Sequence, residues 1–280
     1  MQYCAEISRA NPTCFLFLID QSNSMAGPFG GQPGKKKADG VADAINRLLQ
    51  NLVLKCAKSD GIRDYFHVGV IGYGSSVQSV LGGTLAGRHL VPISEMANSP
   101  LRVEQRTRRI DDGAGGLIEQ SFKFPIWFEP VANGKTPMCQ ALTLAAQVLE
   151  EFITRSPECY PPMAINITDG KATDGDPRPA AAALRRLGTA DGQVLVFNAH
   201  LSSQPAPPVV FPWSEKDLAE PYARLLFRMS SPLPPRLHDA ARAEGLAVSP
   251  LAHGFVYNAD LVSVIRFLDI GTRVAPGGRT

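Results

Sequence analysis

Residues 15–27 read FLFLIDQSNSMAG. Five apolar side chains run without a break into Asp20, and hydroxyls follow at Ser22 and Ser24. An uninterrupted apolar run of this length is expected for a strand covered on both faces, as in a parallel sheet. The acid and two alcohols that end it fit two roles: a turn leading into the next helix, or ligands for a hard cation.

The rest of the chain supplies the frame for that choice. After a loop, GPFGGQPG (27–34), the segment KKKADGVADAINRLLQNLVLKCAK places Val41, Ala44, Ile45, Leu48, Leu49, Leu52 and Cys56 at helical spacing. Its three leading lysines read as a solvated face. Tyr65–Tyr73 and Val77–Leu81 read as strands of a hairpin turning at Gly74. Pro137–Ile153 reads as a helix with Thr136 at its N-cap and Pro137 at N1. Met163–Thr168 is a buried strand, and Pro177–Leu187 a helix capped by Asp176, with Asp174 a turn residue. A strand at Val194–Ala199, helices near 215–228 and 235–244, a short strand at Phe255–Tyr257 and a helix at Leu261–Leu268 complete the order.

Strands that alternate with helices imply an α/β fold: a doubly wound, mostly parallel sheet with helices on both faces and one antiparallel hairpin strand. The expected domain is single, over 13–270, with an elaborated insertion at about 84–131 and a flexible tail at 271–280. The insertion is too long for a plain connection. It carries Arg102, Arg106, Arg108 and Arg109, a DDGAGG turn and KFPIWFEP, in which Pro125 restricts the run to an edge strand or extended loop.

Composition narrows the function classes. Of 280 residues, 44% are hydrophobic and 19% charged, and the net charge is +2, which gives no sign of a nucleic-acid or membrane partner. Cys4, Cys14, Cys56, Cys139 and Cys159 are odd in number and contain no CxxC pair. That pattern, with no basic-apolar leader and no apolar run long enough to span a membrane, leads to the expectation of a cytoplasmic protein. Enzyme motifs are missing: there is no GxSxG, HExxH or GxGxxG, and GPFGGQPGKKK lacks the spacing of a phosphate-binding loop. The five histidines show no ligand spacing. Cys139, in the first turn of a helix, is open to two readings, a lowered thiol pKa or a small buried side chain.

Ligands in doubly wound sheets bind at the carboxyl ends of the strands. Three segments place hard oxygen donors there: Asp20, Ser22 and Ser24 after the first strand, Thr136 before a helix, and Asp169 after the 163–168 strand. Hydroxyls and carboxylates together suit a small divalent ion such as Mg²⁺, which takes about six oxygens. Each residue taken singly also reads as a turn or cap.

The ordered set DQSNS, KTP and NITDG resembles the von Willebrand factor A (VWA) domain with its metal-ion-dependent adhesion site. The match covers 13 to about 270, with Asp20, Ser22 and Ser24 on the family's DxSxS, Thr136 on its threonine and Asp169 on its distal aspartate. The resemblance implies a Mg²⁺ site (Mn²⁺ or Ca²⁺ being alternatives) held directly by Ser22, Ser24 and Thr136 and through water by Asp20 and Asp169. It implies a protein partner that donates a Glu or Asp to the ion. It further implies a non-enzymatic binding module of a bacterial intracellular, TerY-like type, whose partners include a protein phosphatase and kinase of a phospho-signalling, stress-response or defence system. A metal-independent scaffold and a metal-dependent hydrolase are the competing expectations. Arg106, Arg108, Arg109 and Trp127 are the expected partner-binding residues of the insertion, with packing of Trp127 onto the parent domain as the alternative.

Overall fold

In the computed structural model, residues 2–29, 34–111, 116–202 and 207–273 are described. Ten strands matter for the site: β1 (Thr13–Asp20), β2 (Phe66–Tyr73), β3 (Val77–Ser79), β4 (Val91–Pro92), β5 (Arg102–Asp111), β6 (Leu117–Ile126), β7 (Met163–Thr168), β8 (Leu195–Leu201), β9 (Val209–Val210) and β10 (Phe255–Ala259). The helices are α1 (Lys37–Cys56), α2 (Ile93–Asn98), α3 (Met138–Arg155), α4 (Arg178–Arg186), α5 (Pro221–Met229), α6 (Pro235–Ala243) and α7 (Leu261–Gly271).

The main sheet runs β9-β10-β8-β7-β1-β2-β3, with β4 also on β2. Its five long strands are mutually parallel, and the short strands β3, β4 and β9 pair antiparallel. The chain leaves β1 toward β2 on one side and returns on the other as β7, so the strand order reverses at β1. That reversal opens a crevice at the carboxyl ends of β1 and β7.

Every residue of β1 is buried, because both faces are covered. Phe15, Phe17 and Ile19 pack with α1, α2, α6 and α7, while Cys14, Leu16 and Leu18 pack with α3, α4 and α5. The period of two assigns alternate side chains to two separate cores. A polar chain crosses the second core: Tyr73 Oη donates to Asn166 Oδ1 (2.6 Å), Asn166 Nδ2 to Asn198 Oδ1 (2.9 Å) and Asn198 Nδ2 to Ser230 Oγ (2.9 Å). Each buried amide is thereby matched.

The insertion forms β4, α2 and a two-stranded antiparallel ribbon, β5–β6, that does not join the main sheet. Pro125 sits in that ribbon opposite Val103. In a pair of strands each has a free edge, so proline is accommodated. The ribbon is rooted by Phe124, Ile126, Trp127 and Phe128, all buried. Asn46 of α1 clamps the root: its Oδ1 accepts from Trp127 N (2.9 Å) and its Nδ2 donates to Phe128 O (3.2 Å).

Most of the DDGAGG turn, half of the GPFGGQPG loop and the tail from 274 lie outside the described residues. Among the described residues no helix is long and apolar enough to cross a membrane.

Candidate functional site

Three loops meet where the strand order reverses, and backbone contacts fix their approach. After β1, Gln21 N donates to Tyr73 O (2.8 Å), and Gln21 O accepts from Asn133 N (2.6 Å). Asn23 N donates to Gly134 O (3.0 Å), and Asn23 Oδ1 accepts from Gly134 N (3.1 Å). The β2–β3 turn closes the junction. A Cβ on Gly74 would lie 2.5 Å from Asn133 O, and Gly134, at φ +95°, would carry one 2.4 Å from Ser75 N. Only glycine permits backbones to approach this closely, and these contacts bring the Thr136 loop to the end of β1.

The side chains then converge. Asp20 is fully buried; its Oδ1 accepts from Ser22 N (2.9 Å) and its Oδ2 from Thr168 Oγ1 (2.6 Å). Burial pushes the Asp20 carboxyl up from the usual range, against these two hydrogen bonds that favour its charged form. Ser22 and Ser24 stand with their hydroxyls 2.9 Å apart, and Ser24 Oγ donates to Asp169 Oδ1 at 2.7 Å. Ser24 Oγ and Thr136 Oγ1 both lie 3.8 Å from the point where a Cβ on Gly170 would sit. The five residues expected as ligands therefore occupy one rim of the sheet.

The helix-cap reading of Thr136 is corrected. Helix α3 begins at Met138, and its cap comes from across the rim: Asp174 accepts from Cys139 N (3.1 Å) and Gln140 N (2.9 Å). Thr136 is held by its backbone instead, its N–H donating to Thr173 Oγ1 (3.0 Å) and its carbonyl accepting from Thr173 N (2.9 Å). Its hydroxyl has no hydrogen bond among the described residues, so it is free to act as a ligand. Asp174 also bears on Cys139, which is half-buried. Burial, then the adjacent carboxylate, pushes that thiol up to about 11, the opposite of an activated cysteine.

Lys37 was hidden in a lysine run that read as a solvated face. Lys36 is exposed, but Lys37 is 6% exposed, and its Nζ meets Asp169 Oδ2 at 2.5 Å. The signal was in the register: 37, 41, 44 and 48 share the buried stripe of α1.

Donor chemistry and spacing fit a divalent cation. Two oxygens bound at right angles to one Mg²⁺ stand about 2.9 Å apart. The Ser22–Ser24 separation, 2.9 Å, equals that edge, while the 2.7 Å Ser24–Asp169 contact is a hydrogen bond that keeps Asp169 one shell away. The set has only two carboxylates, Asp20 and Asp169; no group of three or more His, Cys, Asp or Glu suited to a metal occurs among the described residues.

The residues expected to meet partners separate. Trp127 is corrected to a core residue: it is 2% exposed, with its Nε1 donating to Met96 O (2.7 Å). The three arginines lie along β5. Arg106 pairs with Asp43 (3.0 Å) and Glu104 (2.7 Å) and lies 3.8 Å over the Phe124 ring, while Arg108 donates to Gln120. Arg109 is exposed opposite Glu119.

No family model matches the chain, and no curated protein matches it in sequence. Solved structures do. The chain is similar to a von Willebrand factor type A protein from Catenulispora acidiphila, at 14% identity over 79% of this chain and 36% of that one, with a TM-score of 0.44. It is similar to proximal thread matrix protein 1 from the mussel byssus, at 14% identity over 81% of this chain and 43% of that one, TM-score 0.43. A third is the ArnB paralog VWA2 from Sulfolobus acidocaldarius, at 14% identity over 70% of this chain and 36% of that one, TM-score 0.34. The chain thus spans less than half the length of each of these structures.

Proposed function

We propose that the chain is a VWA-type protein-binding module that takes Mg²⁺ or Mn²⁺ at Asp20, Ser22, Ser24, Thr136 and Asp169. The observation that carries this is the meeting of uncharged hydroxyls from two loops with two carboxylates from two strand ends, at ligand-like separations. Hydroxyls ligate without neutralising. Bound there, a divalent ion supplies an electropositive centre that accepts a carboxylate from outside the chain. Asp20 fixes the loop through Ser22 N, Thr168 orients Asp20, and the Asn23–Gly134 exchange holds Thr136 beside Ser24.

The partner is a protein that presents Glu or Asp to the rim, and the module acts by capture, not by catalysis. Arg106, Arg108 and Arg109 on the projecting ribbon form a secondary contact in this reading. A place beside a phosphatase and kinase in a bacterial stress or defence assembly follows from the resemblance of the sequence to TerY-like proteins.

The test is ion-linked stability. At about 100 times its dissociation constant, Mg²⁺ should stabilise the fold by about 2.7 kcal/mol. Asp20→Ala should abolish the rise in melting temperature, and EDTA should release captured partners from the wild type. Equal responses of wild type and variant to Mg²⁺ would refute the reading.

A further inference from the structure

We infer that Lys37 is a resident cation of the rim site: its ammonium neutralises Asp169 and must leave that carboxylate for a divalent ion to bind. This rests on the metal-site reading above and adds to it a built-in competitor, encoded in the chain, that sets how tightly the ion is held.

Placement is the first argument. Lys37 is the first residue of α1. A cation at a helix N-terminus faces the positive end of the macrodipole, so local electrostatics disfavour it. Burial adds a cost, because an ammonium taken out of water is tolerated only when it is paired. The chain nonetheless fixes it inward. Lys37 N donates to Gly27 O (3.0 Å), and Phe29 N donates to Lys35 O (2.8 Å), tying the loop before the helix. A Cβ on Gly27 would stand 3.7 Å from both Cε and Nζ of Lys37, so the stem runs close over that glycine.

Geometry is the second. Asp169 uses one oxygen for Ser24 (2.7 Å) and the other for Lys37 (2.5 Å), and its side chain is 1% exposed. An ammonium has three donors. Asp169 is its one hydrogen-bond partner among the described residues.

Charge is the third. Asp20 and Asp169 bring two negative charges when ionised, and Lys37 offsets one. A divalent ion arriving beside the ammonium meets a like charge in a partly buried site, where screening is weak. Relief comes when the long, flexible stem swings the ammonium to water. Ion binding and Lys37 exposure are then one equilibrium.

The test is calorimetric titration of the full chain with Mn²⁺ for wild type, Lys37→Met and Lys37→Arg. Lys37→Met should bind Mn²⁺ at least tenfold more tightly than wild type, about 1.4 kcal/mol, and Lys37→Arg should stay near wild type. A second readout uses the unaltered protein: acetylation of Lys37, followed by mass spectrometry, should be slow in EDTA and at least several-fold faster in saturating Mn²⁺. If wild type binds Mn²⁺ but Lys37→Met binds no more tightly and Lys37 labels at the same rate with and without the ion, the competitor role is overturned and the metal site stands. If neither protein binds Mn²⁺, the metal site itself fails and this inference fails with it.

Discussion

The rim of the main sheet and the β5–β6 ribbon are both rich in charge, yet they use it differently. On the ribbon, Arg102 pairs with Glu104 and Glu129 while all three side chains remain at least 29% exposed. On the rim, Lys37 and Asp169 pair with side chains 7% and 1% exposed. Water screens the first kind of pair, and its contribution is small. The second kind has lost its water, so each charge depends on the other. Burial, not the number of ion pairs, marks where a charge is placed for a purpose.

The ribbon has its own internal contrast between tip and root, which gives the largest expected effect. Trp127→Ala should destabilise the fold by about 3–5 kcal/mol, because the indole fills the core and its Nε1 would no longer satisfy Met96 O. Chemical denaturation measures it; a loss under 1 kcal/mol would show that the root is not part of the core. Next comes the rim pair. Asp169→Ala in EDTA removes the partner of both Ser24 and Lys37 and should cost about 2 kcal/mol, less than a trapped charge because the Lys37 stem can swing to water, whereas Glu104→Ala on the ribbon should cost under about 1 kcal/mol. Equal losses would erase the distinction between the two regions.

The smallest expected effect concerns Asp174. Asp174→Ala removes the acceptor for Cys139 N and Gln140 N at the start of α3 and should cost about 1 kcal/mol. Burial first, and then this carboxylate, holds the Cys139 thiol up at about 11, and the same change removes the second cause. Fewer thiolates form when the pKa lies above the working pH, so wild-type Cys139 should alkylate slowly at pH 8, and the variant faster. An unchanged alkylation rate would show that Asp174 does not govern this thiol.

The strands were legible because each apolar run ends at a chemical boundary. Met163–Thr168 has the bounds expected, and β1 stops at Asp20 as its composition requires. The mostly parallel sheet follows from alternation of strands with helices, and two short antiparallel strands, β4 and β9, add to the hairpin strand expected. The expected helix near 215–228 begins later, at Pro221, where proline starts the first turn. The ribbon was harder to read. Only its root alternates, at Phe122, Phe124 and Ile126, with Pro125 interrupting the run; the rest of both strands is mostly polar and exposed, without the alternation of a half-buried strand.

Sequence alone determined that hard oxygens follow β1, precede α3 and follow β7, since residue type and strand ends are local properties. Only the tertiary structure decided three further matters. It took the cap of α3 from Asp174 and left the Thr136 hydroxyl free. It drew Trp127 into the core. It also turned the third lysine of KKK inward onto Asp169, 132 positions away. Each depends on which distant group lies within a few ångströms; the helical register points Lys37 inward, but no local pattern names the partner it meets. Three identical side chains in a row met different fates because Lys35 and Lys36 lie before α1, Lys36 with extended backbone, whereas Lys37 opens the helix on its buried stripe and meets the buried carboxylate.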